Sequence, residues 1–172
     1  MSLAPVGIYV HVPFCASKCA YCDFVSYPDL TARHADYAEA LVREVTEVAA
    51  GYGSGERPKA ASVYFGGGTP TLLEPQALGR ILRGLESSFG LEKDAETTVE
   101  ANPDGLTAEQ LRLLRSSGLN RLSVGVQSLD DDVLRTLGRR HDAAAAVEAV
   151  GRGREAGFDN LSLDLIFGVP GQ

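Results

Sequence analysis

Hydrophobic and polar positions along this chain switch repeatedly between two periods. Short β-rich runs alternate with longer stretches in which apolar side chains return every three or four residues. Gly7-Ile-Tyr-Val-His-Val12, bounded by Gly7 and Pro13, predicts a strand. From Thr31 to Ala50 apolar residues recur at Ala38, Leu41, Val42, Val45, Val48 and Ala49, a helical spacing that Gly51 ends. After a polar, Gly-rich linker, GYGSGERPKA, Ala61 to Phe65 predicts a second strand stopped by three glycines. Pro75 suits the first turn of a helix, and Ala77, Leu78, Ile81, Leu82 and Leu85 form one stripe behind it. Thr97 to Ala101 predicts a third strand, halted at Asn102-Pro103. Thr107 with Gln110 makes a capping box ahead of Leu111 and Leu114, and Gly118 closes that helix. Arg121 to Val126 predicts a fourth strand, Asp130 to Leu137 a short helix, Asp142 to Ala156 a longer helix stopped by Gly157, and Asn160 to Phe167 a fifth strand.

Strand then helix, repeated, predicts an α/β fold whose parallel strands are joined by helical crossovers. Open doubly wound sheets and (β/α) barrels both fit. There is no sign of a second domain, of low complexity, or of a repeat beyond this alternation. The last strand has no helix after it and is followed only by Gly168-Val-Pro-Gly-Gln172, so the chain is expected to be a piece of a longer protein.

Composition narrows the function classes. The chain's 172 residues, 44% hydrophobic and 23% charged, suffice for one ordinary globular core. Sixteen basic against 23 acidic residues leave a net charge of −7 and no basic stripe, which argues against nucleic acid as a partner. No apolar run approaches the roughly 18 residues of a membrane span. MSLAPVGIYV has neither a positive region nor an apolar signal core, so the expected location is cytoplasmic, where thiols stay reduced.

All three cysteines, Cys15, Cys19 and Cys22, fall inside the single stretch IYVHVPFCASKCAYCDF. An odd number excludes a complete disulfide framework, and a tight cluster in a reducing compartment points to metal. Structural zinc takes four ligands, and His11, four residues before Cys15 in a predicted strand, would approach awkwardly as the fourth. A cubane iron–sulfur cluster normally has four thiolates; held by three, it keeps one iron open to a small molecule.

Parallel α/β architectures bind ligands beyond the carboxyl ends of their strands. Those ends carry the cysteine loop, Gly66-Gly-Gly-Thr-Pro70, Glu100, Gln127-Ser128 and Asp164. Each has a plain reading: a tight turn, an exposed strand end, a cap. His11 has one too, as a locally bonded strand residue. Their placement together predicts one shared site.

Cys-x3-Cys-x2-Cys with Tyr21 before the last cysteine resembles the signature of the radical S-adenosylmethionine superfamily. YVHVPFCASKCAYCDF, YFGGGTPTLL, VEANPD, LSVGVQSLDDDVLRTLGRRHD and LDLIFGVPGQ follow one another in the order and spacing of one branch of it. That branch holds the oxygen-independent coproporphyrinogen III oxidases and related heme chaperones. The resemblance implies that residues 1–172 form most of a partial (β/α)6 radical SAM barrel, truncated before its last strand, with a C-terminal domain absent. It implies a [4Fe-4S] cluster on Cys15, Cys19 and Cys22, and S-adenosylmethionine cleaved to methionine and a deoxyadenosyl radical. It implies Tyr9 and Tyr21 as neighbours of that cofactor and Gly67, Gly68 and Thr69 as a cradle for its methionine amino end. Glu100, Gln127 and Asp164 would be polar contacts to its nucleoside or methionyl parts, and Arg139 a carboxylate partner. Implied partners are heme or a porphyrin, a reducing electron donor and, on the chaperone side, a heme-acceptor protein, with at most transient membrane contact. Heme is expected as a third cofactor in the full-length protein, although none of His11, His34 and His141 stands in a heme-binding context.

The oxidases carry a fourth cysteine two positions after the third; here that position is Phe24. They also carry an extension ahead of the first strand, which this chain reaches by residue seven. Both departures favour a heme chaperone over an enzyme that decarboxylates coproporphyrinogen III.

Overall fold

The computed structural model describes residues 3–53 and 57–172. In chain order it contains β1 (Val6–Val12), β2 (Phe14–Cys15), β3 (Tyr27–Pro28), α1 (His34–Ala50), β4 (Ala60–Gly67), α2 (Pro75–Phe89), β5 (Leu91–Ala101), α3 (Ala108–Ser116), β6 (Arg121–Gln127), α4 (Asp131–Thr136), α5 (Ala143–Glu155) and β7 (Asn160–Leu165). Five parallel strands form the main sheet in the order β1-β4-β5-β6-β7. Every strand lies beside the next main-sheet strand of the chain. A doubly wound sheet reverses its order at a switch point; this one never does, and its winding is that of a barrel.

The period-2 alternation sorts the two faces of the sheet. Val10, Val12, Val63, Phe65, Val99, Leu122 and Val124 turn outward and are buried in one continuous core. Ala77, Leu78, Ile81, Leu82 and Leu85 of α2 join that core, as their helical spacing predicts. Each large aliphatic among them contributes roughly 1.5–3 kcal/mol in transfer terms. The inner face is polar instead. Tyr9 and His11, Tyr64, Thr98 and Glu100, Arg121 and Ser123, and Ser162 and Asp164 alternate with the outward set along their strands.

Several boundaries differ from the sequence expectation. Residues 31–33 form a 3₁₀ turn ahead of α1 rather than its first turn. The glycines do not stop β4: Gly66 and Gly67 continue its ladder against His11 and Val12. β5 begins six residues early, at Leu91, because backbone pairing of Leu91 with Ala60 extends it through a polar stretch that has no apolar alternation. β7 ends at Leu165, short of Phe167. Thr107 Oγ1 accepts from Gln110 N at 3.1 Å, but the Gln110 side chain donates to Thr71 O at 2.6 Å, so only half of the capping box forms. In the predicted 51–60 linker, residues 54–56 lie outside the described residues.

Candidate cofactor site

The cysteine loop leaves β1 at Pro13 and returns at Tyr27, whose amide donates to Pro13 O at 2.7 Å; Phe14 and Cys15 pair there with Tyr27 and Pro28. Side chains brace the loop internally and onto β1. Lys18 Nζ donates to Phe24 O at 2.9 Å. His11 Nε2 lies 2.9 Å from Val25 O. A carbonyl only accepts, so Nε2 donates to it, and Nδ1 lies 3.0 Å from Tyr9 Oη.

The glycine run that ends β4 is fitted to this loop. Gly68 N donates to Val12 O at 2.8 Å and Thr69 N to Phe14 O at 2.6 Å. A Cβ on Gly68 would overlap the Phe14 carbonyl oxygen. A Cβ on Gly67, whose φ is +113°, would lie 2.5 Å from the His11 ring. These glycines let backbone meet backbone where any side chain would hold the loop off.

Every predicted site residue except Tyr9 lines one cavity of about 370 Å³. Cys15, Cys19 and Cys22 are free thiols of intermediate exposure on its wall. They share it with Tyr21, Gly67, Gly68, Thr69, Glu100, Gln127, Arg139 and Asp164. Tyr9 stands outside: its ring stacks on Tyr64 at 6.2 Å and its hydroxyl is engaged by His11.

The cavity's polar groups are linked. Arg139 Nη2 donates to Asn102 Oδ1 at 2.6 Å and to Gly125 O at 3.0 Å. Its Nη1 reaches Tyr21 Oη at 3.3 Å and Cys19 Sγ at 3.7 Å. Asn102 Nδ2 donates to Thr69 Oγ1 at 2.9 Å, and that hydroxyl lies 3.9 Å from Cys15 Sγ. Glu100 accepts from Tyr64 Oη at 2.6 Å and from Gly67 N at 3.2 Å. Gln127 ends β6 with φ +64°, a left-handed conformation that costs about 1–3 kcal/mol away from glycine.

Tyr21 and Tyr64 stay protonated at neutral pH. Burial raises the pKa of Tyr21, with Cys19 adding to the rise and Arg139 opposing it. Tyr64 is raised by burial and by its donation to Glu100. Arg139 Nε is buried with no hydrogen-bond partner among the described residues. Arg139 also lines the cavity, and its positive charge there is suited to an anionic ligand.

Among the described residues no three His, Cys, Asp or Glu side chains converge as one metal ion requires. A zinc ion with Zn–S distances of about 2.3 Å would need its sulfurs within roughly 4 Å of one another. A cubane spreads its thiolates over separate irons, and bound thiolates accept hydrogen bonds that tune the cluster. Donors directed at Cys15 and Cys19 fit that arrangement.

Asn102 and Tyr64, whose side chains bond to predicted site residues, do not stand out in the sequence. Asn102 looked like a strand stop, and Tyr64 like an ordinary strand residue. The available signal for Tyr64 was its even spacing from Gly66, which puts it on the inner face. For Asn102 it was a short amide two positions beyond Glu100.

Residues 9–172 match the model of the radical SAM superfamily. The chain belongs to this superfamily. A radical SAM core implies a [4Fe-4S] cluster and S-adenosylmethionine as cofactors. The chain is 41% identical over 165 residues to the heme chaperone HemW of Bacillus subtilis, covering 95% of this chain and 43% of that protein. It is 36% identical over 173 residues to HemW of Escherichia coli, covering 100% of this chain and 45% of the relative. It thus spans less than half the length of these curated relatives. Among solved structures it superimposes on HemN, the radical SAM coproporphyrinogen III oxidase of Escherichia coli, with a TM-score of 0.87 and 32% identity, over 98% of this chain and 38% of that one. No described helix is long and apolar enough to cross a membrane.

Proposed function

We propose that this radical SAM chain is the core of a heme chaperone, which holds a [4Fe-4S] cluster on Cys15, Cys19 and Cys22, binds S-adenosylmethionine beside it, and takes part in binding heme and delivering it to acceptor proteins. The observation that carries the cofactor reading is the convergence of three free thiols, the linked Thr69–Asn102–Arg139 set and the carboxylates Glu100 and Asp164 on one cavity. When bound, the cluster supplies an electron for reductive cleavage of S-adenosylmethionine. The residues supply the rest. The Gly67–Thr69 turn gives backbone access to the amino end of the ligand. Arg139 neutralises its carboxylate. Glu100 and Asp164 accept from its amino or hydroxyl groups, and Gln127 adds a polar contact. Phe24 and Ile166 add apolar surface to the cavity wall.

The chaperone reading is supported by the similarity to HemW proteins and by Phe24, which presents an apolar ring where the oxidases carry a fourth thiol. A second reading, oxidative decarboxylation of coproporphyrinogen III, is favoured by the backbone similarity to HemN. Anaerobically reconstituted full-length protein supplied with reductant, S-adenosylmethionine and coproporphyrinogen III, with a parallel heme titration, separates the two. Stoichiometric heme binding without decarboxylated product is expected. Product formation would establish the second reading.

A further inference from the structure

A line of polar side chains runs along the inner face of the sheet, away from the cavity and toward the amino ends of the strands. Arg121 and Ser123 alternate on β6, Ser162 and Asp164 on β7, and the register sets Ser123 against Ser162. Arg121 Nη2 donates to Ser162 Oγ at 3.0 Å. A guanidinium accepts nothing, so the Ser162 proton turns elsewhere, and Ser123 Oγ lies 2.8 Å away. Ser123 then accepts from Ser162 and turns its own proton to Asp164, whose two carboxylate oxygens both lie at 3.1 Å. The other arm of the same guanidinium, Nη1, reaches Thr98 Oγ1 at 3.3 Å, which donates to Glu96 Oε1 at 3.2 Å. Each hydroxyl proton thus points away from Arg121. Donors aligned in this way polarise one another, more so out of water, and Ser123 is 2% exposed.

We propose that Arg121 is a positioning residue for the cofactor cavity: through Ser162 and Ser123 it holds the Asp164 carboxylate in one orientation toward the ligand. Asp164 lines the cavity, whereas Arg121, Ser162 and Ser123 do not, so they act on the ligand only through it. The proposal rests on the reading that Asp164 faces S-adenosylmethionine.

The test is equilibrium binding of S-adenosylmethionine to anaerobically reconstituted protein. The variants are Asp164→Asn, Ser162→Ala, Ser162→Thr, Arg121→Met and the double change Ser162→Ala/Asp164→Asn. Ser162→Ala and Arg121→Met should each weaken S-adenosylmethionine binding about fivefold to tenfold, as expected for one lost hydrogen bond in a charged network. Ser162→Thr, which keeps the hydroxyl, should stay within about twofold of the parent. The double variant should bind no worse than Asp164→Asn. Additive losses, or parental S-adenosylmethionine affinity in Ser162→Ala or Arg121→Met, overturn the inference and leave the proposed function standing; parental affinity in Asp164→Asn overturns the inference together with the ligand contact given to Asp164. A parent protein that carries its cluster yet binds no S-adenosylmethionine overturns both.

Discussion

Asn102 accepts from Arg139 at 2.6 Å through Oδ1 and donates to Thr69 at 2.9 Å through Nδ2. One amide just beyond β5 thereby fixes groups from two other parts of the chain, the turn after β4 and the segment between α4 and α5. Each of those groups reaches a cysteine sulfur, Thr69 toward Cys15 and Arg139 toward Cys19. The cavity is ordered by this amide as much as by the cysteines.

Asn102→Ala removes both bonds. A hydrogen bond to a charged group contributes about 1.5–3 kcal/mol, so S-adenosylmethionine affinity should fall by about tenfold or more. Asn102→Asp keeps an acceptor for Arg139 and loses the donor to Thr69, and should show a smaller loss. Titration of both variants checks this; parental affinity in the alanine variant contradicts it.

Gly68→Ala should disable the site by sterics alone, because the added methyl meets the Phe14 carbonyl rather than a flexible side chain. Overpacking of this kind costs about 1–3 kcal/mol. The expected result is a lower thermal midpoint and reduced iron after reconstitution. Gly151→Ala is the control. It lies in α5 with nothing within 4 Å of an added Cβ, and alanine there should stabilise by about 0.5–1 kcal/mol.

His141 gives the fold an acid-sensitive element. It is 6% exposed, and its Nε2 donates to Val126 O at 3.0 Å. Burial lowers its pKa from the ordinary 6.5, with the Val126 carbonyl opposing and the nearby Arg139 adding to the drop. The unfolded chain therefore takes up a proton at higher pH than the folded one. The stability this histidine contributes is complete above its unfolded pKa and is lost as pH falls through and below it. His141→Gln should flatten the decline in thermal midpoint between about pH 7.5 and pH 5.5. Equal declines in parent and variant would contradict this.

The β/α alternation was legible because apolar side chains carry it: every main strand and helix was found, and only ends moved. Winding was not legible, since a period of two in each strand says nothing of strand order. The early start of β5 was hidden because backbone pairing, not side-chain burial, extends it. At the site, the cysteines and the polar strand ends stood out as chemistry placed at the predicted carboxyl edge. Tyr64, Asn102 and the Arg121 line did not, because their roles come from cross-strand register that no single segment displays. Tyr9, expected beside the cofactor, stacks on Tyr64 of the cavity wall and lies within hydrogen-bond distance of His11.

We propose that Cys15, Cys19 and Cys22 together hold a cluster with one iron open to S-adenosylmethionine. Anaerobic reconstitution followed by iron and sulfide analysis, with electron paramagnetic resonance of the reduced protein before and after adding S-adenosylmethionine, tests it most directly. About four irons and four sulfides per chain are expected, with a spectrum that changes on adding the ligand and a cluster that is lost in Cys15→Ser, Cys19→Ser and Cys22→Ser. Bound zinc without iron, or a cluster whose spectrum ignores S-adenosylmethionine, would contradict it.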